Sequence, residues 1–188
     1  IVNGGSLLTL VLAGTTTEPL LLVYEDHDEP LDTAESRVSL INAVSAGTQV
    51  GLMKDGTLLN APVGFGERSE AVIVGSGANV IEIGDAGLVL ATHEAELRER
   101  RDYTLIFAGH GDDLDTLAVI ALARQVPGRA TLRAANMVEA TTLDVYGNGL
   151  LLAEALDYTR ITERQPFASG AYTIEALPAG RAYGEAAP

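Results

Sequence analysis

The sequence contains no cysteine and no tryptophan, and only 5% of its residues are aromatic. Without cysteine the chain cannot be a disulfide-stapled scaffold, which is the usual form of very small secreted domains. A core must therefore come from aliphatic side chains, and the 47% hydrophobic content of the 188 residues supplies them. A chain of this length accommodates two domains of roughly 90 residues each.

Positive charge is also scarce, with 12 Lys and Arg against 26 Asp and Glu and a net charge of −14. A chain this acidic repels nucleic acid and anionic lipid, so we expect no nucleic-acid partner. The longest apolar runs, such as Leu20–Val23 and Leu117–Ala123, are far shorter than the roughly 20 residues of a membrane-spanning helix. We therefore expect no membrane span.

The chain contains an internal repeat, which has to be settled before the fold is considered. Gly51–Gly56 (GLMKDG) matches Asp144–Gly149 (DVYGNG) 93 positions later, and further matches downstream keep this offset without a gap. Upstream, Arg37 and Leu40 match residues 129 and 132 at an offset of 92, which predicts one extra residue in the second copy.

The start of the chain belongs to the same repeat. Ser6–Gly14 (SLLTLVLAG) resembles Asp102–Gly109 (DYTLIFAG) at an offset of 95, which places Ile1 on Glu96. The copy that ends at Pro188 lacks everything from that position onward. The sequence therefore has the end of a repeat in front and a repeat without its end behind.

Apolar runs of strand length, separated by Gly, Pro and Asn, predict an all-β chain. Asp55-Gly56 and Asn148-Gly149 are typical of type I′ hairpin turns. The segment 91–101 has some helical character, but its equivalent leads into a strand, so a strand followed by a turn is predicted. Strand spacing in units of this size favours two tandem immunoglobulin-like β-sandwich repeats.

The predicted organisation has five parts. They are a displaced strand hairpin at 1–24, an acidic linker at 25–35, a first sandwich at 36–123, a linker at 124–128 and a second sandwich, lacking its last strands, at 129–188.

Short motifs resemble the repeats of an uncharacterised family. They are Arg37–Ala43 (RVSLINA), the two hairpin turns, Gly64–Glu67 (GFGE), Leu177–Gly180 (LPAG) and Asp102–Thr104 (DYT). The family that the sequence resembles is catalogued only as a domain of unknown function, and it occurs in tandem in secreted and cell-surface proteins of bacteria and archaea. The resemblance implies a β-sandwich and an extracellular or cell-surface location, and it supplies no catalytic residues.

No constellation of residues points to catalysis. Ile1–Gly5 (IVNGG) is similar to the N-terminus of an activated trypsin-like protease, but no Gly-Asp-Ser-Gly-Gly segment follows it. A Ser-His-Asp triad needs a histidine held by an acid beside an exposed serine. None of the histidines, His27, His93 and His110, has that context. We expect the chain not to be an enzyme.

Two other sites were weighed against a purely structural interpretation. Asp112, Asp113 and Asp115, and the acidic run around His27, offer oxygen ligands for calcium but lack the spacing of a calcium loop. A solvated loop is favoured, calcium is the alternative, and no other cofactor is expected. Lys54 is the only lysine, and an isopeptide bond to Asn42 is disfavoured because the counterpart of Lys54 is Gly147.

The repeat at 129–188 lacks equivalents of residues 96–122, so it would expose an open sheet edge and part of its core. The segment Ile1–Tyr24 has the sequence and register to fill that gap by strand addition. The residues expected to form this contact are Leu7, Leu8, Leu10, Val11, Leu12, Leu21 and Val23. The segment can come from the same chain or from the next chain; we favour the next chain, which gives a head-to-tail homopolymer.

Three functions follow as hypotheses. The favoured one is a structural subunit of an extracellular filament or cell-surface array, assembled by donor-strand complementation. The second is an adhesion or ligand-binding module from a longer tandem-repeat surface protein, which the absence of tryptophan weakens. The third, an enzyme, has no supporting group of polar residues.

Overall fold

The computed structural model describes residues 2–3, 5–16, 18–26, 31, 34–44, 47–85, 87–110, 113–121 and 129–184. All regular structure in these residues is β-strand, which confirms the all-β prediction. Because the described residues contain no helix, none of them forms a helix that could cross a membrane. The chain divides into two compact units: unit 1 comprises residues 1–26 and 124–188, and unit 2 comprises residues 27–123.

Unit 2 is a sandwich-like arrangement of two four-stranded sheets. One sheet has the order β10-β9-β3-β6 and the other the order β5-β4-β7-β8. Its strands are β3 (Glu35–Asn42), β4 (Gly51–Lys54), β5 (Thr57–Leu58), β6 (Val72–Gly75), β7 (Gly77–Asp85), β8 (Leu88–Leu97), β9 (Arg101–His110) and β10 (Asp113–Ala121).

The core of unit 2 draws aliphatic and aromatic side chains from both sheets, as a sandwich requires. Its buried members are Val38, Leu40, Val44, Val50, Leu52, Ile81, Ile83, Leu97, Tyr103, Leu105 and Phe107. In β8, Thr92, Glu94 and Glu96 are exposed whereas the alternate positions are half-buried, because successive side chains of a strand point to opposite faces. The predicted strand and turn in 91–101 are confirmed.

Unit 1 contains the remaining strands in two sheets. One sheet has the order β14-β11-β1-β2, with β15 also paired to β11, and the other has the order β13-β12-β16. The strands are β1 (Leu7–Gly14), β2 (Pro19–Glu25), β11 (Arg129–Asn136), β12 (Leu143–Gly147), β13 (Leu150–Leu156), β14 (Arg160–Ile161), β15 (Gln165–Ala168) and β16 (Ile174–Pro178). The N-terminal strands are thus part of the second repeat, and they come from the same chain.

Both units depart in one respect from a sandwich built only of antiparallel sheets. β3 runs parallel to β9 in unit 2, and β11 runs parallel to β1 in unit 1. The two parallel pairs occupy equivalent positions, since β1 and β2 stand where β9 and β10 stand in unit 2.

The residues that face each other across the strands show how the repeats align. Leu52 lies opposite Ile83 in unit 2, and Val145 lies opposite Ala176 in unit 1. Both members of the second pair follow their counterparts by 93 positions, so the predicted offset of 93 is confirmed for these sheets.

The offset of 92 predicted for the first strand of each repeat is wrong. Leu40 lies opposite Leu105, and Leu10, the equivalent of Leu105, lies opposite Ala134. β11 therefore follows β3 by 94 positions, and the second repeat is one residue shorter between the two landmarks, not longer. A shift of two residues leaves every side chain on the same face of a strand, so the apolar pattern did not exclude the wrong register.

The two predicted hairpin turns are confirmed. Asp55 and Gly56 have φ angles of 49° and 73°, and Asn148 and Gly149 have angles of 49° and 80°. Positive φ at both central residues is the signature of a type I′ turn, which Gly adopts without strain and which Asn and Asp tolerate.

The predicted linkers differ in how much of them is described. Glu25 is the last residue of β2 and Glu35 the first of β3, so strands extend into both ends of the segment assigned to the acidic linker. Asp26 is buried in unit 1. The predicted linker at 124–128 lies outside the described residues.

Candidate functional site

The contact between the N-terminal strands and β11 is the feature of unit 1 that has the most bearing on function. We call β1 and β2, Leu7–Glu25, the donor hairpin, and β11 the acceptor strand. The ladder between them runs from the pair Leu7 and Thr131 to the pair Leu12 and Asn136. It reproduces the ladder of β9 on β3 in unit 2, which runs to the pair Phe107 and Asn42.

Backbone hydrogen bonds extend the ladder at both ends. Gly5 N donates to Arg129 O at 3.1 Å, and Met137 N donates to Leu12 O at 2.7 Å. In unit 2 the bond equivalent to the latter joins Ala43 N to Phe107 O, also at 2.7 Å. Donor and acceptor are therefore joined by main-chain bonds that do not depend on side-chain identity.

One face of β1 completes the core of unit 1. Leu10 and Leu12 are each 1% exposed and belong to the cluster of Leu132, Ala134, Val138, Leu143, Val145, Ala153 and Leu156. Burying a leucine side chain contributes about 1.5–3 kcal/mol, so removing the hairpin would cost unit 1 several kcal/mol from these two residues alone.

A buried ion cluster, consisting of Thr9, Asp26, Arg133 and Arg164, fastens the hairpin to the acceptor. Asp26 Oδ2 accepts hydrogen bonds from Thr9 Oγ1 at 2.7 Å and from Arg164 Nη2 at 2.7 Å, and Arg133 Nη2 lies 3.4 Å away. Arg133 Nε also donates to Thr9 Oγ1 at 2.8 Å. The side chain of Asp26 is only 1% exposed, so the two guanidinium groups provide the charge that a buried carboxylate requires.

The ion cluster is specific to unit 1. At the positions equivalent to Thr9, Arg133 and Asp26, unit 2 carries Thr104, Ser39 and Ala121. In unit 2 Ser39 Oγ lies 3.4 Å from Thr104 Oγ1, and Arg68 Nε donates to Ser39 Oγ at 3.1 Å. Asp26, directly after the donor hairpin, is thus an acid that Arg133 of the acceptor strand matches, whereas the equivalent position of β3 in unit 2 is Ser39.

The residues predicted to form the donor contact all lie in the hairpin, and in this structure the acceptor is in the same chain. Leu7, Leu8, Leu10, Val11 and Leu12 are buried. Leu21 is half-buried against the core of unit 1, whereas Val23 is 56% exposed and does not share their environment.

Each repeat also contains a fully buried asparagine at the end of its first strand. Asn42 Nδ2 donates to Thr48 O and Val63 O at 2.7 and 3.0 Å, while Asn42 Oδ1 accepts from Val44 N at 3.0 Å. Asn136 makes the same three bonds in unit 1, at 2.7, 2.8 and 2.9 Å. Each side chain ties the end of its strand both to the loop that follows and to a more distant segment of the same unit, at Val63 in unit 2 and Leu156 in unit 1.

Most of the chemical candidates from the sequence have side chains outside the described part of the structure. Asp112 and His27 lie outside the described residues, as do the side chains of Asp113, Asp115 and His110, although β10 includes the backbone of both aspartates. Among the side chains that are described, no group of three or more His, Asp or Glu could hold a metal ion. His93 lies half-buried on β8.

The other two candidates are also placed. Both hydrogens of the Asn42 amide are used by backbone carbonyls, whereas the side chain of Lys54 is exposed, an arrangement that does not favour an isopeptide bond between them. Of the protease-like N-terminus, Val2, Asn3 and Gly5 are described, and Val2 exchanges backbone hydrogen bonds with Gly170 at 2.8 and 2.9 Å.

Sequence reasoning missed the ion cluster and the paired asparagines. An arginine in the middle of an apolar strand, as in ATLRAAN at 130–136, was the available signal for a buried ion pair. The asparagines ended similar apolar strands, LIN and AAN, but the offset of 92 kept them from being recognised as equivalent.

The chain matches a known protein family. A family described as a domain of unknown function (DUF4397) matches residues 36–141, which is more than half of the chain and covers β3 to β11. No curated protein matches the chain.

Proposed function

We propose that this chain, which belongs to the family described as a domain of unknown function (DUF4397), is a structural subunit whose sandwich units are linked by donated strand hairpins in an extracellular filament or cell-surface array. The observation that carries the proposal is the donor contact. The hairpin and its acceptor strand are separated in sequence by the whole of unit 2, yet the hairpin pairs with the acceptor and contributes core side chains to unit 1. The extracellular location rests on the resemblance to repeats of surface proteins. No catalytic role is assigned to the chain.

The same contact can be made within one chain or between chains, because its atoms do not depend on which molecule supplies the hairpin. The structure contains the intramolecular form. In the proposed assembly, the hairpin of one chain occupies the acceptor of the next, and each chain keeps one hairpin to give and one acceptor to fill. A contact between two different surfaces of identical chains adds one chain after another into a filament, unless the rotation between successive chains closes a ring.

The balance between the two forms depends on concentration. The intramolecular form is favoured by the effective concentration that the connection between hairpin and acceptor provides, whereas the assembly is favoured when chains are crowded at a surface. The ion cluster supports correct pairing in both forms, since a hairpin without Asp26 would leave two buried guanidinium groups uncompensated.

The test is to refold the chain at increasing concentration and measure its mass by light scattering after size exclusion. We expect oligomers that grow with concentration. An excess of a free peptide of residues 1–26, added during refolding, should occupy the acceptors and keep the oligomers from forming. A chain that remains a monodisperse monomer under all these conditions would refute donation between chains.

Engineered disulfides supply a matched control, because the chain has no cysteine of its own. L7C with T131C joins partners on β1 and β11 and closes the intramolecular form, whereas A13C with L20C joins β1 to β2 and leaves the hairpin free to exchange. When oxidised as a dilute monomer and then concentrated, the first variant should stay monomeric. The second should assemble as the parent chain does.

A further inference from the structure

Among the described residues, unit 1 has no counterpart of one strand of unit 2. In unit 2, β8 pairs antiparallel with the outer edge of β7 from the pair Gly77 and Leu97 to the pair Asp85 and Leu88. The strand of unit 1 equivalent to β7 is β16, which among the described residues pairs with β12 alone. β7 extends over nine residues, and β16, with a partner on one side, extends over five.

One contact of the missing ladder is nevertheless present. Val2 and Gly170 form a reciprocal hydrogen-bonded pair, and they are the equivalents of Leu97 and Gly77. In unit 1, Val2 therefore occupies the position that Leu97, the last residue of β8, has in unit 2, and it pairs in the same register.

The backbone groups that would receive the rest of the strand can be identified by alternation. In an antiparallel strand, successive residues direct their N–H and C=O groups to opposite edges. Gly170 faces the outer edge and binds Val2, whereas Thr173 faces the other way, since its carbonyl accepts from Asn148 N at 2.9 Å. Ile174 and Ala176 consequently present N–H and C=O to the outer edge, where no described residue binds them.

The side chains of β16 are also less buried than their equivalents in β7. Ile81 and Ile83, the equivalents of Ile174 and Ala176, are 5% and 0% exposed, and Leu90, Ala91 and Ala95 of β8 pack against their core. Ile174 and Ala176 are only half-buried.

The chain that follows β16 does not lie along this edge where it is described. Tyr146 Oη donates to Arg181 O at 3.2 Å, and the ring of Tyr183 stands 5.5 Å from that of Tyr146 on β12. Residues 181–184 therefore cross the face of the sheet toward β12 instead of pairing with β16.

We propose that the outer edge of β16, from Tyr172 to Ala176, is an acceptor site for a β8-type strand of a further repeat, bound antiparallel and ending at Val2. The occupant is specified by unit 2: an extended segment with apolar residues at the inward positions and polar residues outside, such as LVLATHEA of Leu88–Ala95. Pro178, which has no N–H, limits the ladder at the far end. This site is separate from the donor contact at β1 and does not depend on hairpin exchange.

The experiment supplies that strand in two ways. In one arm the sequence of Leu88–Ala95 is fused directly before Ile1, which places it in the register fixed by Val2; in the other arm the same peptide is added free to the parent chain. The readout is amide hydrogen exchange at Ile174 and Ala176. We expect exchange at both amides to slow at least about tenfold in the fusion.

The matched control is the same fusion with proline at the positions of Ala91 and His93, which face Ile83 and Ile81 in unit 2. Proline removes the donors that the ladder needs, so the control should exchange like the parent chain. Slowing by fusion alone identifies a strand from the same polypeptide, and slowing by the free peptide as well shows that another molecule can supply it. Unchanged exchange in both arms, or equal slowing with the proline control, overturns the proposal.

Discussion

Replacement of Asn136 by Asp tests the role assigned to the paired asparagines. The carboxylate keeps the size of the amide and can still accept from Val138 N, but it cannot donate to Thr141 O and Leu156 O, which lie 2.7 and 2.8 Å from the present donor. Leaving a buried polar group unsatisfied costs about 1–3 kcal/mol, so two orphaned carbonyls predict a loss of about 4 kcal/mol. That is a large share of the roughly 5–15 kcal/mol of a typical domain.

The measurement is urea unfolding followed by tyrosine fluorescence. Five of the six tyrosines, Tyr24, Tyr146, Tyr158, Tyr172 and Tyr183, belong to unit 1, so this signal reports mainly on that unit. Asn42→Asp is the matched variant, since it removes the same bonds from unit 2; its effect should be seen instead in the hydrogen exchange of unit 2. A loss below about 1 kcal/mol in both variants would refute the reasoning.

Two further predictions concern charge. Asp26→Asn removes the negative charge between two buried guanidinium groups and should lower the free energy of unfolding by about 3–5 kcal/mol, measured by urea unfolding. The control is Glu18→Gln on the exposed turn, which should change that free energy by less than about 0.5 kcal/mol. The pKa of Tyr183 is raised above its usual value of 10.0, first by the negative charge of Glu175, then by desolvation of the phenol, and last by its hydrogen bond with Glu175. Tyr183 should therefore ionise at higher pH than a free tyrosine, and Glu175→Gln should lower that pKa, as followed by phenolate absorbance against a Tyr183→Phe reference.

The sequence predicted those parts of the fold that depend on local pattern. Asp55-Gly56 and Asn148-Gly149 specify their turns because few residues accept positive φ at both positions. The offset of 93 could be read from such turns, and the repeat equivalent of 91–101, which leads into a strand, favoured strand over helix. The role of Ser6–Gly14 as a substitute for the strand Arg101–His110 followed from likeness of sequence alone.

Other features depend on contacts between residues that are far apart in the chain. The likeness of β1 to β9 shows what the segment pairs with, but it contains nothing that distinguishes the acceptor of the same chain from that of another. Asp26 stands in an acidic run, and only the fold brings Arg133 and Arg164 to it. For the same reason, its composition suggested a solvated linker where the structure has a buried carboxylate.

The donor contact has a consequence for how the protein is made. Thr9 and Arg133 are bonded across 124 residues, with all of unit 2 encoded between them. Because synthesis proceeds from the N-terminus, the hairpin emerges from the ribosome before unit 2 and before its acceptor strand, while unit 2 is contiguous and can fold in the meantime. Contacts this distant in sequence form slowly, so an apolar hairpin stays exposed throughout translation of unit 2. That segment must therefore be kept from pairing with another sheet edge until the acceptor strand has been synthesised.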